Sequence, residues 1–271
     1  MPPRRTPVRN LGEPSALGTF GHPRERTRRP PPSFSVGFVQ KVVLAVDVGG
    51  SHVKALASNE SERRRFPSGS SLTAQEMVDQ TVAAVEGWTW DAVSIGLPTP
   101  VRGGKVVAEP VHLGAGWVGF DFEAAFGKPT KLVNDATMQA VGSYRGGRML
   151  FLGLGTGLGS TMIYDGVIEP LELGHLPFRK KTFEDYVGER ALKRKGKEKW
   201  TKAVFAAVEQ LSAAMEPDEV VLGGGGVDEL DDLPPGCRRG ANENAFLGGF
   251  RLWDPDWLAH LGEAGAPPAP G

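Results

Sequence analysis

A strand, a glycine-rich turn and a second strand occur twice in this chain of 271 residues. The segments of the two units are Val42–Val48, Gly49-Gly50 and His52–Ala57, then Leu150–Leu154, Gly155-Thr156-Gly157 and Ser160–Tyr164. The turns lie about 107 residues apart, and each unit is followed by a helical pattern and a further strand. This weak internal symmetry indicates two related lobes that face one another, with a cleft suited to a ligand between them.

The pattern between the two ends of the chain is mixed α/β. Thr73 and Glu76 form a capping-box signature at the start of a helix predicted to run to about Glu86. Further strands are predicted over 92–97, 131–133 and 219–222, and further helices over 136–144 and about 204–215. The first strand is short, β-branched and almost continuously apolar, which is typical of a strand buried in a sheet.

The two ends of the chain have a different composition from the rest. Residues 1–40 hold 7 Arg, no Lys, 2 Glu and 8 of the 22 Pro. Prolines without a periodic apolar face cannot build a core, so this segment is predicted to be a disordered leader. Its basic charge suits a contact with RNA or another acidic partner, and the alternative is a dispensable leader. Residues 254–271 are predicted to form a flexible tail.

Composition also excludes several classes of protein. A net charge of -1 argues against a dedicated nucleic-acid binder. Cys237 is the one cysteine, which excludes an internal disulfide and a multi-cysteine zinc site. No apolar run approaches the roughly 20 residues that a membrane-spanning helix needs. Residues 1–40 also lack the long apolar core of a secretory signal, so a cytoplasmic location is expected.

The segment from Asp47 to Lys54 places a carboxylate at a strand end beside two glycines. Gly49 and Gly50 permit a tight turn whose successive N–H groups bind phosphate oxygens, and Ser51 belongs to the same predicted site. Asp47 is a candidate Mg²⁺ ligand through the water molecules that this ion usually keeps. The alternative is an ordinary Gly-Gly hairpin turn without a ligand.

Two later glycine loops also follow strands. The loop with Gly155, Thr156 and Gly157 is neither a Walker A sequence nor a dinucleotide fingerprint, and it fits a β-hairpin phosphate loop with the Thr156 hydroxyl as an extra donor. Gly223–Gly226 carries a cost in conformational entropy that suggests close backbone approach to something flat, such as a nucleotide base. The alternatives are a simple turn for the first loop and a flexible connector for the second.

Polar residues that suit a hydroxyl-bearing substrate follow these strands. Asp135 is a candidate general base that takes the proton of a substrate hydroxyl as it attacks phosphorus, with Asn134 bonded to a neighbouring hydroxyl. The alternative is that Asn134 or Asp135 simply caps the following helix. Glu172, His175 and Glu184 are candidate ligands of sugar hydroxyls; a buried core histidine and an acidic first-turn residue are the alternatives for the last two.

A basic run extends from Arg190 to Lys202, with seven positive charges and one acid, Glu198. Most such runs are solvated faces of helices. The alternative interpretation is a track for a polyanion.

The order of these motifs resembles that of the repressor–ORF–kinase (ROK) family of sugar kinases, within the actin/hexokinase/Hsp70 superfamily, and looks closest to its polyphosphate glucokinase branch. The resemblance covers residues 41–253, and its matching stretches are Asp47–Lys54, Gly96–Val101, Asn134–Ala136, Leu154–Ser160, Glu172–His175 and Leu222–Gly226. It implies an α/β fold of two ribonuclease-H-like lobes with a central cleft. The lobes would be residues 41–134, completed by a helix over 242–253, and residues 135–241.

The resemblance also implies a role for each matching residue. Asp135 would be the catalytic base on the 6-hydroxyl of glucose or a related hexose. The residues expected to bind the sugar are Pro98, Thr99, Asn134, Asp135, Glu172, His175 and Glu184. The residues expected to face Mg²⁺ and the phosphoryl donor, polyphosphate or ATP or both, are Asp47, Gly49, Gly50, Ser51, Lys54, Gly155, Thr156, Gly157, Gly223, Gly224 and Gly225.

Three features of the sequence depart from the family pattern, and they bear on zinc, on the sugar-binding loop and on the repressor members. The cysteine-rich zinc motif that many members carry after the Gly-His pair is absent, which argues against zinc and points to the polyphosphate-using branch. Pro98-Thr99-Pro100 stands where Pro-Gly is more usual. Residues 1–40 are too rich in proline for the helix-turn-helix of the repressor members.

Three functions are compatible with these motifs. The leading one is a hexose kinase with small-molecule partners, without a nucleic-acid or membrane partner, and with the homodimer common in similar kinases. The alternatives are a non-catalytic sugar-sensing regulator of the same fold and a phosphohydrolase of the superfamily that uses water as acceptor.

Overall fold

The computed structural model describes residues 41–262. The predictions for residues 1–40 and 263–271 lie outside the described residues. No helix within the described range is long and apolar enough to cross a membrane.

The described chain alternates between strands and helices. Its strands are β1 Val43–Val48, β2 His52–Ala57, β3 Arg64–Pro67, β4 Ala92–Leu97, β5 Val101–Arg102, β6 Lys105–Val106, β7 Thr130–Asn134, β8 Arg148–Leu154, β9 Leu158–Tyr164, β10 Val167–Leu171, β11 Pro177–Phe178, β12 Lys181–Thr182, β13 Glu219–Gly223 and β14 Cys237–Arg239. Its α-helices are α1 Ala74–Ala84, α2 Phe122–Phe126, α3 Asp135–Ser143, α4 Glu184–Val187, α5 Glu189–Lys195, α6 Lys197–Met215 and α7 Asn244–Arg251. Short 3₁₀ helices cover Leu173–His175, Gly225–Glu229 and Ala259–Gly262.

Two five-stranded sheets share one topology. The first has the order β3-β2-β1-β4-β7 and the second the order β10-β9-β8-β13-β14. In each sheet three consecutive strands form an antiparallel meander, and two later strands add in parallel beside the first of the three. The repeat predicted from the two strand–turn–strand units is therefore present as a repeated sheet topology, and the predicted α/β class is confirmed.

Helices cover both faces of the first sheet. Successive strand residues point to opposite faces, and Leu44 and Val46 of β1 pack in one core cluster with α1 and α2. Ala45 faces the other way, where a Cβ atom at Gly249 of α7 would lie only 2.7 Å from the Ala45 Cβ. Burial on both faces explains why β1 and β4 are buried along their whole length. It also places α7 on the sheet of the first half of the chain.

Helix α1 shows how local sequence sets a boundary. The Thr73 hydroxyl accepts a hydrogen bond from the Glu76 N–H, and the Glu76 carboxylate accepts one from the Thr73 N–H at 2.9 Å. This capping box was predicted and is confirmed. The helix ends at Ala84, two residues before the predicted end, because the chain turns at Gly87 with a φ of 88°.

Helices α3 and α7 cross at glycines. A Cβ atom at Gly142 would overlap the Asn244 carbonyl oxygen, and one at Gly248 would overlap the Met138 carbonyl oxygen. Close approach of the two backbones is therefore possible only without these side chains. Because α3 begins at Asp135, this crossing fixes the position of the candidate base.

The segment after α7 also contacts the core. The Trp257 ring packs edge-on against Tyr144, with centroids 5.6 Å apart. The first part of the predicted flexible tail is thus held by an aromatic contact.

Candidate active site

The geometry of the first sheet brings Asp47 and Asp135 to one edge. Strands β1, β4 and β7 are parallel, and their register aligns Asp47 with Gly96 and Gly96 with Val133. The carboxyl ends of the three strands therefore meet, at two strand spacings of roughly 10 Å in total between the outer strands. Gly96 lets α3 pack closely on the middle of this edge, since a Cβ atom there would lie 2.6 Å from the Met138 side chain and 3.4 Å from the Asp135 Cα.

Asp47 is the acidic residue of the first glycine turn. Its side chain is 10% exposed, and its Oδ2 lies 3.2 Å from Nζ of Lys54, the residue opposite on β2. The turn itself is closed by a hydrogen bond from the Gly49 N–H to the His52 carbonyl, and Ser68 Oγ donates to the Gly49 carbonyl at 2.6 Å. Gly50 and Ser51 remain exposed at its tip.

Asp135 is the first residue of α3 and has an unusual environment. The protein shields much of its carboxyl group from water, and this desolvation, reinforced by the negative charge of Asp47, raises its pKa to about 7. Hydrogen bonding from the Ala136 N–H acts in the opposite direction, and Glu172 adds a smaller upward contribution to the pKa. The group keeps some exposed surface. A carboxyl group poised near neutral pH is what general base catalysis requires.

Asn134 is the N-cap of α3, and the alternative prediction that it caps this helix is therefore confirmed. Its Oδ1 accepts from the Ala136 N–H at 3.0 Å, and its Nδ2 lies 3.4 Å from the carbonyl oxygens of Leu97 and Thr99. The Thr99 hydroxyl is buried and donates to the Ala108 carbonyl. Both side chains thus hold the Leu97–Pro100 loop in place, and their direct contact with a sugar stays a prediction, as does that of the half-buried Pro98.

The second glycine turn lies against the start of α3. A Cβ atom at Gly159 would lie 2.6 Å from the Ala136 Cβ, so β9 passes directly beneath the first turn of that helix. Space above Gly155 is open for at least 4 Å, and Thr156 is exposed. The strand that leaves this turn therefore lies beside Ala136, the residue after Asp135, and the outer side of the turn is accessible.

Glu172, His175 and Glu184 come together from two separate elements. The two ring nitrogens of His175 each lie 3.8 Å from a carboxylate oxygen, Nδ1 from Glu172 and Nε2 from Glu184. His175 is 65% exposed, which rules out the core-histidine alternative. Ser160 anchors the cluster, since its Oγ donates to the Leu171 carbonyl and accepts from the Leu173 N–H. Exposed pairs of this kind contribute at most about 1 kcal/mol to stability.

The glycine run at 223–226 has a packing reason that the sequence did not reveal. A Cβ atom at Gly223 would lie 2.5 Å from the Phe151 ring, and side chains at Gly224 and Gly226 would collide with the Leu154 backbone. The close approach is thus to the protein's own strand β8, and the run is not a flexible connector. Gly225 alone of the four faces open space, and the border with a nucleotide stays a prediction.

The basic run from Arg190 to Lys202 is not one surface. Gly196, with a φ of 79°, separates α5 from α6. Three of its lysines are paired: Lys193 with Glu189, Lys197 with Asp231, and Lys202 with Glu198. A continuous track along this run is therefore not formed by these residues alone.

One residue beside the site was missed by sequence analysis. His112 lies next to the first turn, where a Cβ atom at Gly50 would be 3.8 Å from the His112 Cβ. The loop that carries it is held by hydrogen bonds from the Trp117 and Val118 N–H groups to the Glu109 carboxylate. No local pattern in the sequence connects His112 with Gly50, because the contact depends on the path of a long loop.

Comparison with known proteins gives sequence relatives and structural neighbours. No family model matches the chain. A polyphosphate glucokinase from Mycobacterium tuberculosis is 26% identical over 219 residues, which cover 72% of this chain and 82% of that protein.

Solved structures with the same fold include enzymes and a regulator. The inorganic polyphosphate/ATP-glucomannokinase from Arthrobacter sp. strain KM has a TM-score of 0.65 at 21% identity and covers 78% of this chain and 98% of its own. A ROK family glucokinase from Streptomyces griseus, in complex with glucose and AMPPNP, has a TM-score of 0.66 at 19% identity, with the same coverage. A ROK family transcriptional regulator, a homolog of the E. coli MLC protein, has a TM-score of 0.60 at 13% identity and covers 79% of this chain and 78% of its own. The resemblance predicted from the motifs is confirmed: the chain has the actin-like ATPase fold of the ROK sugar kinases, and its sequence resembles that of the polyphosphate glucokinases.

Proposed function

We propose that this protein is a phosphotransferase that phosphorylates glucose or a related hexose at its 6-hydroxyl, with polyphosphate, ATP or both as donor and with Mg²⁺. The observation that carries the proposal is the position of Asp135. Its carboxyl group has a pKa of about 7 and lies at the sheet edge that it shares with Asp47.

Asp135 is the general base of the proposed reaction. The sugar hydroxyl gives its proton to the Asp135 carboxylate as its oxygen forms a bond to the terminal phosphorus of the donor. The bond between that phosphorus and the bridging oxygen breaks, and the electron pair stays on the shortened donor. A raised pKa makes the carboxylate a better proton acceptor at neutral pH than an ordinary aspartate.

The exposed cluster of Glu172, His175 and Glu184 supports a sugar as acceptor. Two carboxylates and an imidazole offer acceptors and donors at fixed positions, which suits neighbouring hydroxyl groups of a ring. Water as acceptor, the phosphohydrolase alternative, would need no such cluster. The small energetic contribution of exposed ion pairs supports a binding function for the cluster over a structural one.

The donor side is supported by the two glycine turns. Gly50 and Ser51 of the first turn and Thr156 of the second are exposed, whereas the Gly155 N–H already donates to the Gly157 carbonyl. In this position they would bind phosphate oxygens.

Asp47 is the residue that would hold Mg²⁺. Its buried carboxylate faces a second one in Asp135, a concentration of negative charge that a divalent cation relieves. Mg²⁺ prefers oxygen ligands, and one or two carboxylates with water and substrate phosphates are enough for it. When bound, the ion would neutralise charge on the donor phosphates. Lys54 already offsets part of the charge on Asp47.

The regulator alternative has a structural neighbour of its own but less support from the residues. A sensor needs the sugar cluster but not a base at position 135 or a carboxylate at position 47, and this chain has both. The sequence relative is named as a polyphosphate glucokinase, and two structural neighbours are named as a glucomannokinase and a glucokinase. These names favour catalysis over a sensor.

One assay separates the three functions. The protein is mixed with Mg²⁺, glucose and either ATP or polyphosphate, and the products are resolved. We expect glucose 6-phosphate to form in a fixed ratio to donor consumed. Free phosphate without sugar phosphate would support a phosphohydrolase, and sugar binding without any turnover would support a sensor.

A further inference from the structure

A cationic cluster outside the candidate active site is formed by two elements that are separate in sequence. The hairpin of β11 and β12 contributes Arg179 and Lys181, and the end of α5 contributes Arg194 and Lys195. Arg179 lies at the hairpin tip in the left-handed region, with a φ of 57°. Such a conformation is uncommon for arginine and is required at the first position of this two-residue hairpin loop.

Aromatic rings position these cations. Lys195 Nζ lies 3.7 Å from the centroid of the Tyr186 ring, and the Arg179 guanidinium lies 5.4 Å from the same centroid and 5.0 Å from that of Phe178. The Phe178 ring in turn packs edge-on against Tyr186. Cation–π contacts of this kind hold a charge in place without neutralising it.

The charge of the cluster is not balanced by ion pairs. Within residues 41–262, the ion pairs include none of Arg179, Lys181, Arg194 and Lys195. Burial lowers the pKa of Lys195, and repulsion from Arg194, Arg179 and Lys181 lowers it further, against the opposite effect of Tyr186. The carboxylate of Asp185 offsets part of the charge of Lys181 and Arg194 while it accepts hydrogen bonds from Thr182.

The cluster is continuous with the second glycine turn. A Cβ atom at Gly188 would lie 2.6 Å from the Thr156 carbonyl oxygen, and the Glu189 N–H donates to the Gly155 carbonyl at 2.9 Å. Helix α5 thus starts at the turn, and its seven residues carry the chain roughly 10 Å away to Lys195. The hairpin, which lies between His175 and Glu184 in sequence, reaches the same place, because Arg179 and Lys195 contact the same Tyr186 ring.

We propose that Arg179, Lys181, Arg194 and Lys195 bind the part of an inorganic polyphosphate chain that extends beyond the reacting phosphate. The inference rests on the proposed function, because it assumes that the Gly155–Gly157 turn holds the reacting end. Guanidinium groups bind phosphate oxygens in a bidentate manner, and lysines add point charges. A linear polymer with a charge on every unit can reach both the turn and the cluster, whereas tripolyphosphate reaches only the turn.

The test measures binding without sugar, so its outcome does not depend on turnover. Two double variants, Arg179→Gln/Lys181→Gln and Arg194→Gln/Lys195→Gln, are compared with Lys105→Gln/Lys199→Gln, which removes the same charge from exposed positions outside the cluster. Polyphosphate of several tens of units and tripolyphosphate are titrated by calorimetry at several salt concentrations. Thermal unfolding checks that each variant is folded, and Arg179→Lys/Arg194→Lys keeps the charge.

We expect each cluster variant to bind long-chain polyphosphate about tenfold more weakly, with a salt dependence reduced by roughly one released counterion for each lost cation. Tripolyphosphate affinity should change less than about twofold, and the control pair should behave like the wild type. Arg179→Lys/Arg194→Lys should bind long chains more tightly than the Gln variants but more weakly than the wild type, because it keeps the charge and loses the bidentate hydrogen bonds. Equal weakening for both chain lengths, or an equal effect of the control pair, would overturn the proposal. So would tighter binding of a single-stranded RNA of similar charge to the same cluster.

Sugar phosphorylation is measured separately on the same proteins. If the wild type forms no sugar phosphate with any donor, the proposed function fails even where polyphosphate binds the cluster. If sugar phosphate forms but the cluster variants bind long chains normally, the cluster inference fails alone.

Discussion

Asp47 and Asp135 lie at the same edge of the first sheet, with β4 between β1, which carries Asp47, and β7, which leads into Asp135. There burial, reinforced by the negative charge of Asp47, raises the pKa of Asp135 to about 7. Neither residue is special in its own segment: Asp47 is the last residue but one of a buried strand, and Asp135 begins a helix. Their coupling arises from the parallel register of three strands that are far apart in sequence. Burial, reinforced by this coupling, turns an ordinary carboxyl group into a candidate base.

The pH dependence of turnover should follow the titration of the Asp135 carboxyl group. A base with a pKa of about 7 is protonated and inactive below that pH, so kcat/KM for the sugar should fall about tenfold for each unit below pH 7. The measurement is a pH–rate profile with donor in excess. A flat profile down to pH 5 would contradict the assignment of the base.

The same shift has a consequence for stability. The pKa of Asp135 is raised on folding, so the folded state binds more protons than the unfolded state between about pH 4 and pH 7. Stability should therefore fall as the pH rises through this window, by up to about 1.4 kcal/mol for each unit from this group. Asp135→Asn should remove this loss, as measured by urea unfolding at pH 5 and pH 8.

Asp185→Asn is the control with the opposite sign. Hydrogen bonds from Thr182 lower the pKa of Asp185, so its contribution to stability is present at neutral pH and is lost on acidification. Asp185→Asn should therefore be less stable than the wild type at neutral pH. An identical pH dependence for the wild type and Asp135→Asn would show that Asp135 is not buried as described.

The crossing of α3 and α7 should couple stability to catalysis. Gly248→Ala places a methyl group against the Met138 carbonyl and should cost about 1–3 kcal/mol, as overpacking generally does. It should also lower kcat, because α3 positions Asp135. Leu247→Ala, on the exposed side of the same helix, should change the unfolding free energy by less than about 0.5 kcal/mol. Equal unfolding curves for the two variants would argue against the tight crossing.

The sugar cluster gives a prediction about KM. His175→Gln keeps a polar side chain but loses the arrangement in which each ring nitrogen faces a carboxylate. The KM for glucose should rise roughly tenfold, while the KM for the donor changes little. Glu169→Gln, an exposed position on β10, serves as the control. A rise in the KM for the donor alone would indicate that His175 contacts the donor and not the sugar, which would contradict the prediction.

Local signals in the sequence predicted most of the fold. The capping box at Thr73, the buried strand from Val43 and the two strand–turn–strand units depend on neighbours in sequence, and the structure contains all of them. The repeated sheet topology could be predicted because each strand–turn–strand unit carries its own glycine turn.

Features that depend on contacts between distant segments were not predictable in this way. The reason for the glycines at 223–226 is the backbone of Leu154, and the place of His112 depends on a long loop. The basic run looked continuous in sequence, yet Gly196 divides it, and Arg179 and Lys181 join its end from another element. Such relationships are set by tertiary packing, which periodicity and composition do not encode.

The role of Asp135 is tested most directly by Asp135→Asn, with turnover and sugar binding measured on the same preparation. Loss of a positioned general base typically lowers the rate by about 10²–10⁴, so kcat should fall by that amount. The dissociation constant for glucose should stay within about threefold of the wild type, because the Glu172, His175 and Glu184 cluster is unchanged. Near-native turnover by this variant would contradict the account.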